Sequence, residues 1–106
     1  MPVHFLTSSP EALLREFNQR IVQEDDWGKA DGWLLQEGNA FYQHAEDVSD
    51  IGARLVPSMD ADTLSFELQA NAGKTVPLDV IKLYHTRLVE TFLRWMDVRF
   101  DEIRLN

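Results

Sequence analysis

The stretch from Val76 to about Val98, VPLDVIKLYHTRLVETFLRWMDV, is the longest strongly periodic segment of the chain, and everything else must be arranged around it. On a helical wheel Leu78, Ile81, Tyr84, Leu88, Val89, Phe92, Leu93, Trp95 and Met96 gather on one side. Asp79, Thr86, Arg87, Glu90, Arg94 and Asp97 fall on the other. That pattern predicts a helix that buries one broad face. Val80 and Leu83 lie outside the main stripe and Trp95 lies at its edge. This surplus width fits a homodimer formed through the C-terminal helix, or a partner contact, as well as it fits packing under a loop.

What that face packs on is predicted by the segment before it. Thr63-Leu64-Ser65-Phe66-Glu67-Leu68-Gln69 alternates cleanly, with Leu64, Phe66 and Leu68 pointing one way. A strand with one wet face belongs to an antiparallel sheet. Val3 to Thr7 is short, apolar and partly β-branched, and reads as a first strand. Ser9 with Pro10 starts a helix, proline being tolerated at the first helical position; alternatively Ser8 and Glu11 make a capping box. Leu13, Leu14, Phe17 and Ile21 form its apolar stripe. The acids Glu24-Asp25-Asp26 sit badly with the helix macrodipole at a C-terminal end, so the helix should stop by there.

Residues Asp25 to Gly32 are turn chemistry. Trp33–Gln36 and Ala40–His44 flank Glu37-Gly38-Asn39, which suggests a hairpin; the alternative is a helix broken at Gly38. Ala45 to Gly52 reads as an acidic surface loop, Ala53 to Pro57 as another strand, Ser58–Asp62 as a turn, and Phe100 to Leu105 as a short closing strand. The order β–α–ββ–ββ–α–(β) predicts an α+β fold: a small antiparallel sheet with two amphipathic helices packed on one face. At 106 residues, 44% of them hydrophobic, the chain has room for a single domain spanning 1–106 with one core.

The 18 acidic and ten basic residues give a formal charge of −8. Phosphate backbones and anionic lipid should repel such a chain, so neither nucleic acid nor a membrane is expected as partner. No apolar run approaches the ~18 residues of a membrane span. The N-terminus lacks the basic region of a signal peptide. There is no cysteine, which rules out disulfides, thiolate zinc sites and cysteine nucleophiles. A cytoplasmic protein is the default expectation.

No stretch rises to a chemical motif. Ala72-Gly73-Lys74-Thr75 ends like a P-loop but lacks the required glycine, position 68 being Leu. The serines lie in no G-x-S-x-G context. His44, in His44-Ala45-Glu46-Asp47, has carboxylates at short spacing but neither a H-E-x-x-H nor an EF-hand frame, so a solvated loop is the simpler reading. Asp60-Ala61-Asp62 resembles a fragment of a cation loop without its glycine and glutamate. No cofactor or metal is expected. His85 falls near the middle of the last helix's stripe and is expected to be a core histidine, or else to line a pocket with Tyr84 and a tryptophan.

The aromatics carry the most functional information. Trp27, Trp33, Phe41 and Tyr42 cluster in an aperiodic region beside Asp25 and Asp26. Exposed Trp and Tyr among acids are typical of protein recognition surfaces, although the same rings could close the open end of a core. The expectation is therefore a small acidic binding protein that is not an enzyme and docks on a protein partner through Trp27, Trp33, Phe41, Tyr42, Asp25 and Asp26. The rivals are a ligand-binding protein or enzyme with a pocket near His85, and a subunit without separate activity.

Overall fold

A computed structural model of the protein describes residues 2–36, 38 and 41–105. The elements in chain order are β1 (Val3–Leu6), α1 (Pro10–Val22), β2 (Trp33–Gln36), β3 (Phe41–His44), β4 (Arg54–Met59), β5 (Thr63–Gln69), α2 (Leu78–Trp95), a single 3-10 turn (Asp97–Arg99) and β6 (Glu102–Leu105). The described residues form one six-stranded sheet in the order β2-β3-β4-β5-β1-β6. Every neighbouring pair is antiparallel, and the fold is α+β as the element order predicts.

The register sorts the side chains between the two faces. Val3 pairs with Phe66, Phe5 with Leu64, Leu55 with Leu68 and Tyr42 with Leu55, so these residues share a face. Both helices lie on it. Phe17 of α1 meets Phe66 at 5.9 Å and Trp33 at 5.7 Å. Phe92 of α2 stacks on Phe5 at 4.2 Å and also touches Phe17 and Phe66. The core is thus a cluster of rings in offset-stacked and edge-to-face contact, the arrangements favoured by aromatic quadrupoles. The opposite face carries His4, Leu6, Leu34, Phe41, Arg54, Val56, Ser65, Glu67, Glu102 and Arg104, and among the described residues no helix covers it.

The first helix begins as its punctuation suggests. Ser9 is the N-cap and Pro10 follows in the first turn, but no side-chain capping bond forms, so the Ser8–Glu11 box is not made. Leu13, Phe17 and Ile21 are buried. The helix ends at Val22, before the three acids reach it. Trp33–Gln36 and Phe41–His44 do pair as antiparallel strands, and Gly38 between them has φ +64°. Glu37, Asn39 and Ala40 of that expected turn lie outside the described residues.

The second helix differs from its wheel. Its buried residues are Val80, Tyr84, Leu88 and Phe92, with Met96 just beyond. Val80, set outside the stripe by the wheel, is in the core, whereas Leu78 and Leu93 are largely exposed. His85 is only partly buried and lies beside the buried ridge, not at its centre. The cause is that apolar residues surround much of this helix, so periodicity alone leaves its rotation undetermined. The sheet selects an i, i+4 ridge, with Phe92 set against Phe5 and Phe66 and Tyr84 near Trp33.

Candidate docking surface

α1 ends at Val22, and its C-cap Gln23, with an extended backbone (ψ 149°), turns the chain out of the helix. The loop that follows is held from several sides. The Gln23 side-chain amide donates to the carbonyls of Asp25 and Trp27, both at 2.8 Å. Lys29 Nζ donates back to the Gln23 carbonyl at 2.8 Å, and an Arg20 guanidinium nitrogen donates to the Gly28 carbonyl at 2.8 Å. The Ala30 N–H closes the loop onto the Arg20 carbonyl at 2.9 Å. Gly28 is needed here for two reasons. Its φ is +79°, and a Cβ would stand 2.6 Å from the Arg20 guanidinium.

This frame presents Trp27 to solvent, 80% exposed. Its indole meets Trp95 edge-to-face at 5.3 Å, which brings the C-terminal ends of the two helices together. Arg20 and Arg94 lie over the Trp95 ring at 5.6 and 4.9 Å, within cation–π range. Arg20 is itself neutralised by Glu16 at 2.9 Å. An open depression of about 550 Å³, lined by Arg20, Gln23, Glu24, Asp25 and Trp27, borders the indole. Glu24, Asp25 and Asp26 are all exposed around it. A large rigid ring with an acidic rim can contribute apolar contact and attract positive charge, and its backbone is already fixed before anything binds.

The structure does not bring the expected aromatic group together on one surface. Trp33 and Tyr42 are core residues, 4% and 0% exposed. The Trp33 indole N–H donates to Thr91 Oγ1 at 3.0 Å, and the Tyr42 hydroxyl donates to Asn18 Oδ1. Burial pushes the Tyr42 hydroxyl's pKa well above its ordinary value, against the smaller opposing effect of Asn18. Phe41 points to the uncovered sheet face, where Arg54 lies over its ring at 5.3 Å. Of the six expected contact residues, Trp27, Asp25 and Asp26 remain on one accessible surface. Trp95, on the wheel only an edge residue of the last helix, joins them.

A second polar cluster surrounds His44, which is buried at the end of β3 and not in a solvated loop. Its ring packs edge-on against Trp33 at 4.8 Å and over Gly32, where a Cβ would lie 2.7 Å from Nε2. Nδ1 accepts the Glu46 N–H at 3.1 Å, which makes the neutral ring the form that fits. Burial lowers the His44 pKa, aided by the Arg87 charge and opposed by Glu46, Asp47 and Glu90. The Tyr84 hydroxyl accepts the His44 N–H at 3.3 Å and donates to Asp47 Oδ2 at 2.9 Å. Burial drives the Tyr84 pKa up. The loop is further tied to α2 by Arg87–Glu46 at 2.6 Å.

His44 is thus a histidine that joins Tyr84 and a tryptophan. A small cleft of about 190 Å³ over Asp47, Ser49 and Tyr84 adjoins it. Asp47 already accepts bonds from Tyr84, from the Ser49 hydroxyl and from the Ser49 N–H. The arrangement docks the loop against α2.

On the uncovered face, His4 Nδ1 and Ser65 Oγ lie 2.7 Å apart across β1 and β5. The pair has the spacing of a base and a nucleophile. The pair faces an open depression of about 360 Å³ also lined by Asp60, Asp62, Thr63 and Arg104. The contact is a cross-strand hydrogen bond between two side chains on one face. Among the described residues no group of three or more His, Asp or Glu could hold a metal ion, and no helix is long and apolar enough to cross a membrane. Comparison with protein-family models, curated proteins and solved structures found no match to this chain.

Proposed function

We propose that the chain is a binding protein without chemistry of its own, which docks a basic macromolecular partner on the surface around Trp27. The observation that carries this reading is an 80% exposed tryptophan on a loop pinned by Gln23, Lys29 and Arg20. The indole touches Trp95 edge-to-face at 5.3 Å but is not part of the buried core. Binding to a loop already ordered incurs little conformational entropy. The acids Glu24, Asp25 and Asp26 and the overall charge of −8 favour a positively charged partner and would speed its approach.

The test compares three immobilised proteins exposed to a lysate of the cells that make the chain: wild type, Trp27→Ala, and the triple variant E24Q/D25N/D26N. A partner retained by wild type should be lost with Trp27→Ala, a loss of about 2 kcal/mol or more, roughly 30-fold in affinity. The triple variant should bind more slowly and with a weaker salt dependence. Retention of the same proteins by Trp27→Ala would sink the reading.

A further inference from the structure

The sheet ends on β6, which has β1 on one side and no strand on the other among the described residues. A bare edge is a template for another strand. This one is accessible: Glu102 and Arg104 are exposed, and Leu105 is 54% exposed. Its register is known from β1. Ile103 lies opposite Phe5 and Leu105 opposite Val3, which places them on the helix-covered face. Glu102 lies opposite Leu6 and Arg104 opposite His4, on the uncovered face.

We propose that β6 pairs antiparallel with β6 of a second copy, about a two-fold axis through Ile103, so that the two sheets run on as one. With the axis perpendicular to the sheet, residues that face each other must point to the same side. The pairing can therefore be centred only on a residue, not between two. Centring on Glu102 sets two glutamates against each other, and centring on Arg104 sets two arginines against each other. Centring on Ile103 sets Glu102 against Arg104 of the second copy, and repeats that pair by symmetry. Opposite charges directly across a strand pair stabilise it and like charges oppose it, so charge selects the register.

Within one chain Arg104 now reaches Glu102 at 2.8 Å, with both side chains more than half exposed or nearly so. Such a surface pair is weak and is readily exchanged for two intermolecular ones. Charges on an edge strand usually prevent association because they share a sign; here they alternate, and an antiparallel copy matches them. The other edge, β2, reads Trp33-Leu34-Leu35-Gln36 and has no charge to select a register or a partner.

Sedimentation equilibrium of the full chain up to millimolar concentration tests the proposal through charge reversal. Wild type should show a reversible monomer–dimer equilibrium. E102R and R104E should each dimerise roughly tenfold more weakly, since each turns two attractive pairs into two repulsive ones. An equimolar mixture of E102R and R104E should associate at least as well as wild type, and the double variant E102R/R104E should recover it. Thermal midpoints of the four proteins should agree closely, because neither side chain is buried. A wild-type chain that stays monomeric throughout would overturn the proposal. So would a silent E102R, which would mean a register centred on Arg104, or a mixture that associates no better than its components.

Discussion

Phe92 and Leu93 are adjacent on α2, and both belong to the apolar set of the helical wheel. Their substitution by alanine measures which way the helix is turned. Phe92 is fully buried, stacked on Phe5 at 4.2 Å and in contact with Phe17 at 5.0 Å and Phe66 at 5.7 Å. Truncating a buried phenylalanine costs ~3–5 kcal/mol. The upper part of that range applies here, because four ring contacts, the fourth with Phe100 at 6.4 Å, are lost together and the rings around the void cannot all close in. Leu93 is 51% exposed. Half of a side chain worth ~1.5–3 kcal/mol when fully buried is about 0.8–1.5 kcal/mol, and alanine keeps the Cβ, so the loss is about 1 kcal/mol or less.

Urea denaturation separates the two. With an m-value of about 1.5 kcal/mol/M, a loss of 4 kcal/mol moves the midpoint by roughly 2.7 M, whereas Leu93→Ala moves it by about 0.7 M or less. If the total stability lies near the lower end of the usual ~5–15 kcal/mol, Phe92→Ala will be largely unfolded in buffer. Phe92→Leu, expected to cost ~1–3 kcal/mol, then supplies the comparison. A Leu93→Ala midpoint shifted as far as that of Phe92→Ala would refute the assigned rotation of α2, and with it the packing of the helix on Phe5 and Phe66.

Further expectations concern the site and the loops. Because the folded state lowers the His44 pKa, neutral His44 contributes stability above its unfolded value of about 6.5, and that contribution is lost as pH falls from there through the folded pKa. The thermal midpoint of wild type should drop between neutral pH and mild acid more than that of His44→Asn; an imidazole titrating at or above 6.5 by NMR would contradict this. Gly32→Ala, at φ +83° with His44 in the way, should cost clearly more than Gly38→Ala, where φ is +64° and nothing lies within 4 Å of the added carbon. The second change incurs only the left-handed strain of about 1–2 kcal/mol, and chemical denaturation of the two variants checks the order. Trp27 should supply most of the acrylamide-accessible fluorescence, so Trp27→Phe should remove it and shift the remaining emission to the blue. Gln23→Ala, which releases the carbonyls of Asp25 and Trp27, should weaken partner binding while leaving the exposed ring in place, because the loop must then be ordered on binding.

Local rules carried the sequence reading far where one segment determined its own outcome. Thr63–Gln69 forms a strand over those same residues because a period of two sorts its side chains without reference to any neighbour. α1 starts at Pro10 and ends before Glu24-Asp25-Asp26 because proline and the macrodipole act at the helix's own ends. The two-helix, one-sheet architecture followed from counting apolar faces that had to be covered. Trp27, Asp25 and Asp26 could be singled out as candidate contact residues because ring size and charge are properties of the residues themselves, and all three are exposed.

The tertiary structure decided what depends on which elements meet. Strand order placed β1 between β5 and β6, and no local pattern encodes a neighbour that distant in the chain. The rotation of α2 was set by the rings it packs on, since its own apolar residues allow more than one phase; that moved Val80 in, Leu78 and Leu93 out, and His85 to the flank. Trp27 and Trp33 are the same residue type six positions apart, yet one is exposed and the other buried, because a hydrogen-bonded loop carries the first past the core and a strand points the second into it. His44 likewise exchanged an expected loop for a buried place under Tyr84. In each case the residue's chemistry was legible from its letter, while its surroundings came from chain segments that only folding brings together.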